Sequence, residues 1–188
     1  MLAVEPDAKM AAVASVKGIA VERSNFEQWP ADDRTFDLVV FGQSFHWVDP
    51  DAALPKLVSL LNPEGRLALM WNRIVPTEPG REGMDRIYAD YRATSPASTS
   101  GSNAATAFQA LARTSSFAVE RVEVGEDLHY STEDWLGLVF THSNHLILEP
   151  AAQSVLRERL RALIGDGGVS ASNQALALIC TVKQASRG

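Results

Sequence analysis

Three side chains in this sequence stand where chemistry is easiest to read: a carboxylate at Glu5, an imidazole at His46 and an indole at Trp47. Glu5 closes the short apolar run Leu2–Val4 and is followed by Pro6-Asp7. In dinucleotide-type α/β folds an acid at the end of the second strand accepts hydrogen bonds from ribose hydroxyls, and a carboxylate takes two O–H donors at once. A plainer reading is that Glu5 caps the helix that follows, where a negative charge is favoured anyway. The ribose geometry also serves nicotinamide cofactors, so Glu5 by itself leaves the cofactor open. His46 titrates in the range that suits a general base; the alternative is a structural imidazole that bonds the loop and orients Trp47. His142, His145 and Glu149 are spaced to share one helical face, but the set matches no familiar metal motif and no metal is expected. Cys180, the only cysteine, excludes an internal disulfide; it lies in the apolar run Ala175–Val182 and reads as core.

The elements that must position these groups alternate in the manner of a parallel sheet covered by helices. Leu2–Val4 reads as a strand, Ala8–Val16 as an alanine-rich helix, and Gly18–Val21 as another short apolar run. Phe36–Phe41 has the continuous hydrophobicity of a central strand buried on both faces. Asp49 is an N-cap and Pro50 suits the first turn of a helix carrying Leu54, Leu57, Val58, Leu60 and Leu61. Asn62-Pro63-Glu64-Gly65 stops it, and Arg66–Trp71 is the next buried strand. Further on, Arg81–Arg92 predicts an exposed helix and Thr94–Ala104 a mobile loop too poor in large apolar groups to offset its ordering entropy. Thr106–Arg113 predicts a helix, Phe117–Val124 a half-buried strand, and Thr132–Val139 and Ala151–Ile164 two more helices. After the turn Gly165–Gly168, Ala175–Val182 is the last strand.

Bulk properties exclude several function classes. A chain of 188 residues with 46% hydrophobic content fits one globular domain. No apolar run approaches the ~20 residues that span a bilayer, and the start carries Glu5 and Asp7 rather than a basic flank, so no membrane is expected and the cytoplasm is the default location. A net charge of −6 and a pI near 5.2 disfavour a phosphate backbone as partner, so no nucleic acid is expected.

The segment Ser24-Asn25-Phe26-Glu27-Gln28-Trp29-Pro30, followed by Thr35 to Pro50 with its Phe45-His46-Trp47-Val48-Asp49-Pro50, resembles the methyltransferase type 11 group of class I S-adenosylmethionine (SAM)-dependent enzymes. Leu61-Asn62-Pro63-Glu64-Gly65-Arg66-Leu67-Ala68-Leu69 is similar to that group's helix-to-strand turn, with Glu64 in place of its first glycine. The resemblance is strong over Leu2 to about Asn72 and weaker from Phe117 onward. It implies an α/β fold with a Rossmann-like, mostly parallel sheet and helices on both faces. It implies SAM as cofactor and a small molecule as methyl acceptor. On the cofactor side it places Glu5 at the ribose, Asn25 and Phe26 at the adenine, and Gln43 beside the methionine; Phe26 is equally readable as core. On the acceptor side it places His46 as the candidate catalytic base, Trp47 and Asn72 as substrate contacts, and His142 and His145 as groups reaching in from a cap.

The departures matter as much. The glycine-rich turn of such folds lies about 20 residues before the ribose acid, and here only Met1–Val4 precede Glu5; no G-x-G-x-x-G occurs elsewhere. The expectation is a single partial domain over 1–188, truncated at its front and lacking the first strand and glycine-rich turn, with cofactor-side strands in 1–72 and cap segments and last strands in 73–188. Open sheet edges in such a chain invite self-association. The leading expectation is methyl transfer, impaired by the missing front. The alternatives are a degenerate, non-catalytic interaction module and, from Glu5 alone, a nicotinamide-dependent oxidoreductase.

Overall fold

A computed structural model describes residues 1–91 and 102–183. The order is β1 (Leu2–Val4), α1 (Ala8–Val16), β2 (Ala20–Glu22), β3 (Phe36–Gly42), a 3-10 turn (Phe45–Trp47), α2 (Pro50–Leu60), β4 (Leu61–Glu78), α3 (Arg81–Ala89), α4 (Ser102–Thr114), β5 (Phe117–Tyr130), α5 (Thr132–Val139), α6 (Ser143–Leu146), α7 (Pro150–Ile164) and β6 (Val169–Val182). The mixture is α/β, as the apolar runs and caps predict. Most of the predicted loop Thr94–Ala104 lies outside the described residues, and from Ser102 the chain is already helical.

The strands form two sheets. β1 and β2 pair in parallel, Leu2 opposite Ala20 and Val4 opposite Glu22. The other sheet has the order β3-β4-β6-β5, with β3 and β4 parallel. Two compact units divide the chain: 1–71, 102–122 and 176–183 make one, and 72–91 with 123–175 the other. β4, β5 and β6 each run through both, which is why they exceed the predicted strands.

In the first unit, α2 and α4 pack together over one sheet face, where Leu54 and Leu57 of α2 meet Phe41, Leu67, Leu69, Leu178 and Cys180. Cys180 is fully buried core as expected, and burial pushes its thiol up to about 12. The helix carries Pro55 in its interior, with Pro50 in its first turn and Asp49 as its N-cap. β3 corrects the reading of a central strand buried on both faces. It ends the four-stranded order, and Leu38 and Val40 are 56% and 50% exposed.

The predicted stop at Asn62–Gly65 persists inside β4 as a register jump. Phe36 pairs with Leu61, and Leu38 already pairs with Arg66. Residues 62–65 bulge between them, held by Asn62 Nδ2 donating to Asp37 Oδ1 at 2.6 Å. A Cβ on Gly65 would lie 2.7 Å from the Phe36 carbonyl oxygen. The close approach of two backbones therefore requires glycine here.

The second unit packs α3, α5 and α7 around Met84, Trp135, Leu136, Leu156, Leu160 and Ile164. Here the shared helical face of His142, His145 and Glu149 needs correction. α6 spans only Ser143–Leu146, and Glu149 belongs to the N-cap of α7. Pro150 at the first turn of α7 starts a new helix, so the three side chains stand on different segments.

Candidate cofactor-side site

The candidate groups of the first unit stand just after strands β1, β2 and β3. In parallel α/β sheets the crevice beyond the carboxyl ends of strands is where ligands bind. Glu5 follows β1, and its backbone N–H extends the pairing by donating to the Glu22 carbonyl at 3.2 Å. Its carboxylate is half-buried, with Oε1 accepting from Asp7 N at 2.8 Å. Capping of α1 falls to Asp7, whose Oδ1 accepts from Lys9 N and Met10 N at 2.8 and 2.9 Å. These two bonds lower the Asp7 carboxyl below its ordinary value. Glu5 is therefore not the N-cap, and it acts on the helix start only through the N–H of the cap residue.

After β2 the chain makes a turn in which the Asn25 carbonyl accepts from Gln28 N and Trp29 N. The Asn25 side chain is exposed, and Phe26 is half-buried. The Phe26 ring meets Phe41 edge-on at 5.2 Å and stacks on Trp29 at 6.5 Å. One side of Phe26 is thus core, as one of its two readings has it.

Sequence reasoning missed what holds this turn. Lys56 on α2 donates to the carbonyls of Phe26, Glu27 and Trp29, and its ammonium lies 5.1 Å from the Phe26 ring centre and 5.5 Å from that of Trp29. From the other side Arg34 donates to both carboxylate oxygens of Glu22, at 2.7 and 3.0 Å, while Trp29 Nε1 donates to the same carboxylate. The Arg34 and Trp29 hydrogen bonds hold the Glu22 carboxyl down at about 2. The Arg34 guanidinium lies over the Trp29 ring at 4.9 Å and also bonds the carbonyls of Ala31 and Pro30. Glu27 Oε1 accepts from Asp49 N at 2.8 Å, joining the turn to the start of α2. Lys56 is separated from the turn by about 30 residues of sequence, and no local pattern marks it.

Gln43, directly after β3, sits at a φ of 56°, in the left-handed region, and donates its backbone N–H to Met70 O at 2.9 Å. That bond extends the β3–β4 ladder by one residue and then turns the chain into the 3-10 turn. Phe45 anchors the turn in the core against Phe41. His46 and Trp47 are left exposed, Trp47 at 80%, with their rings 4.8 Å apart. Partial desolvation lowers the His46 pKa below 6.5. Next to the sheet end, Trp71 Nε1 is buried without an acceptor among the described residues.

The remaining candidates belong to the second unit. Asn72 is exposed on β4. His145 is 7% exposed, with its Nδ1 2.9 Å from Val139 O and its ring near Tyr88, Phe140 and His142 at 5.3, 5.8 and 6.1 Å. Burial lowers its pKa, against the Val139 bond that raises it, and the nearby His142 lowers it further. His142 is exposed. The structure thus brings Glu5, Asn25, Phe26, Gln43, His46 and Trp47 into one unit, and Asn72, His142 and His145 into the other. Among the described residues no group of three His, Cys, Asp or Glu could hold a metal ion, and no helix is long and apolar enough to cross a membrane.

Comparison with known proteins bears on the first unit most directly. Residues 1–69 match the family described as a methyltransferase domain. An uncharacterized methyltransferase of Mycobacterium tuberculosis is 48% identical over 46 residues, which are 24% of this chain and 19% of that protein. A methyltransferase-like protein of Schizosaccharomyces pombe is 36% identical over 67 residues, 36% of this chain and 26% of that one. The chain thus aligns with about a fifth to a quarter of these curated relatives. Among solved structures, a candidate type II methyltransferase from Anaeromyxobacter dehalogenans superposes over 96% of this chain and 79% of its own, with a TM-score of 0.53 at 16% identity. The YcgJ protein of Bacillus subtilis superposes over 98% and 82%, with a TM-score of 0.52 at 15% identity. The fold is the Rossmann-like α/β architecture of these proteins, and it is residues 1–69 that match the methyltransferase domain family.

Proposed function

We propose that this chain carries the adenosyl-binding side of a SAM-dependent methyltransferase acting on a small-molecule acceptor. The observation that supports it most is the placement of Glu5 and the Asn25–Phe26 turn immediately after the paired parallel strands β1 and β2. Ribose hydroxyls donate to the Glu5 carboxylate, whose second oxygen is not used by the Asp7 N–H. The Asn25 amide meets the adenine edge, and the exposed part of Phe26 packs on the base. Gln43 borders the methionine moiety. When bound, the cofactor supplies an electrophilic methyl group on a sulfonium.

Transfer of that methyl group is an in-line displacement, so alignment and exclusion of water supply much of the rate. Within the first unit, Trp47 is the acceptor-side residue in this reading. His46 is the base when the acceptor must lose a proton; its lowered pKa keeps it neutral, and so able to accept one, near pH ~7. No glycine-rich turn occurs among these 188 residues, so within them this reading assigns only Gln43 to the methionine end of SAM.

The test is a titration of the isotopically labelled chain with adenosine and with SAM, followed by NMR. Both ligands are expected to bind with similar, roughly millimolar affinity, shifting the amides of Glu5, Asn25 and Phe26. Micromolar SAM binding would show that the methionine end is gripped after all. No shift at these amides with either ligand would remove the adenosyl assignment.

A further inference from the structure

Two cations flank the aromatic pair in the turn after β2. The Arg34 guanidinium lies over Trp29 at 4.9 Å, and the Lys56 ammonium lies over Phe26 at 5.1 Å and over Trp29 at 5.5 Å. Trp29 is 5% exposed whereas Phe26 is half-buried, so Phe26 is the ring of the pair that a ligand can meet. Lys56 is held over that ring rather than swinging free. Its Nζ donates to Phe26 O at 2.7 Å, to Glu27 O at 3.3 Å and to Trp29 O, which occupies the three donors of an ammonium. These acceptors are neutral carbonyls, so the bonds fix the charge without cancelling it. The Glu27 carboxylate attracts the ammonium but itself accepts from Asp49 N at 2.8 Å.

An aromatic ring carries a negative face, and a cation over it is attracted by that quadrupole. The attraction acts on both partners. The cation draws π density toward itself and leaves the rest of the ring poorer. A ring depleted in this way packs better on an electron-rich base and worse on an electron-poor one, which reverses the preference of a plain phenyl face. The exposed part of Phe26 is the surface assigned to the adenine, so a charge fixed over Phe26 acts on the base through that ring.

We propose that Lys56 is a positioning and specificity-determining residue of the adenosyl site, which through Phe26 selects an electron-rich purine such as adenine. This inference rests on the adenosyl reading above and adds to it the group that sets the base preference.

Affinities of the full chain for 7-deazaadenosine, adenosine and 8-azaadenosine, read from the amide shifts of Asn25 and Phe26, test it. The three nucleosides keep the exocyclic amine and the ribose, while their rings run from electron-rich to electron-poor. The quantity compared between variants is the affinity ratio of the first nucleoside to the last, because effects common to all variants cancel in its change. Lys56→Gln removes the charge and keeps a donor toward the carbonyls. It is expected to lower the ratio roughly threefold, the size of a partly solvated cation–π contribution. Lys56→Arg keeps a cation beside the ring and should retain most of the ratio, even where the turn loosens and all three nucleosides bind more weakly. Phe26→Leu removes the ring, leaves the carbonyls that Lys56 bonds in place, and should lower the ratio as Lys56→Gln does. If Lys56→Gln weakens all three nucleosides by the same factor, Lys56 only props the turn; the proposal is then overturned and the adenosyl reading stands. A ratio that Phe26→Leu leaves unchanged overturns it equally. Absence of shifts at Asn25 and Phe26 with all three nucleosides in the wild type removes the adenosyl reading and this inference together.

Discussion

The ammonium of Lys56 donates to the carbonyl of Phe26 at 2.7 Å, although 30 residues separate them in sequence. With its bonds to the Glu27 and Trp29 carbonyls and its place over two aromatic rings, it ties α2 to the turn assigned to the adenine. A compact ammonium can meet three converging acceptors, whereas the planar guanidinium of arginine presents its donors as a fork. Lys56→Met is therefore expected to lower unfolding stability by about 1 kcal/mol, the low end for charge-assisted bonds because the head is partly solvated. Amide exchange at Gln28 and Trp29 should accelerate, and Lys56→Arg should not restore the protection. Unchanged exchange in Lys56→Met would mean that the turn holds itself.

Gly65→Ala tests the bulge between α2 and the body of β4. The added methyl would come within 2.7 Å of Phe36 O and 2.9 Å of Asn62 N, both backbone atoms that cannot rotate away. A loss of about 1–3 kcal/mol is expected in chemical denaturation, the range for forced overpacking. Glu64→Gly, at the neighbouring exposed position, should cost far less. Equal effects at the two positions would make the close approach irrelevant.

Acid denaturation should report the Glu22–Arg34 pair. The Glu22 carboxyl is held at about 2, against 4.5 for the free group, chiefly by the Arg34 hydrogen bond and then by Trp29. A carboxyl with a depressed folded-state pKa contributes stability above its unfolded value and loses it as pH falls through the folded one. Its contribution is therefore full above pH 4.5 and lost between 4.5 and about 2. Glu22→Gln should flatten the stability profile in that window relative to wild type, with Trp29 fluorescence as the probe. Identical slopes for the two proteins would show that solvent screens the pair completely.

Much of the scaffold was legible because it rests on local signals. Asp49 is an N-cap, Thr132–Val139 and Ala8–Val16 have the predicted boundaries, and Cys180 is core, whereas the cap of α1 is Asp7 and not Glu5. What failed was tertiary. The apolar run of β3 reads as doubly buried, yet which strand lies at its other edge depends on pairing partners that no local pattern specifies. The face shared by His142, His145 and Glu149 was a periodicity argument carried past the end of α6 at Leu146 to Glu149, the N-cap of a new helix. Lys56 and Arg34 escaped notice because an isolated cation in sequence looks like any solvated one. Only the folded turn gives them their acceptors.

His145 makes a second pH-dependent contribution, in the second unit and of opposite charge type. Burial holds its pKa below 6.5, with His142 adding to the effect and the Val139 bond partly opposing it. The unfolded chain therefore takes up the proton more readily than the folded one. Stability is full above pH ~7 and declines as pH drops through 6.5 toward the folded value. His145→Asn retains a side-chain donor toward Val139 O and removes the titration, so its thermal midpoint should vary less between pH ~7 and 5 than that of wild type. A wild-type profile as flat as the variant's would mean that the ring is protonated in both states or in neither.

Glu5 and Asp7 stand two residues apart with separable roles. Asp7 accepts from Lys9 N and Met10 N and so carries the capping of α1. Glu5 touches the helix start only through Asp7 N. Asp7→Ala should lower the thermal midpoint and the helical circular dichroism signal while leaving adenosine-induced shifts at Asn25 in place, because removing an N-cap acts on the helix. Glu5→Ala should do the reverse. With the carboxylate gone the ribose hydroxyls lose their acceptor, so adenosine binding should weaken by about 1–3 kcal/mol, the range for leaving polar partners unsatisfied, with the midpoint nearly unchanged. Glu5→Gln keeps one acceptor oxygen and should fall between. If both alanine variants lower the midpoint alike and neither alters adenosine binding, Glu5 is a second support of the helix start and the ribose assignment falls.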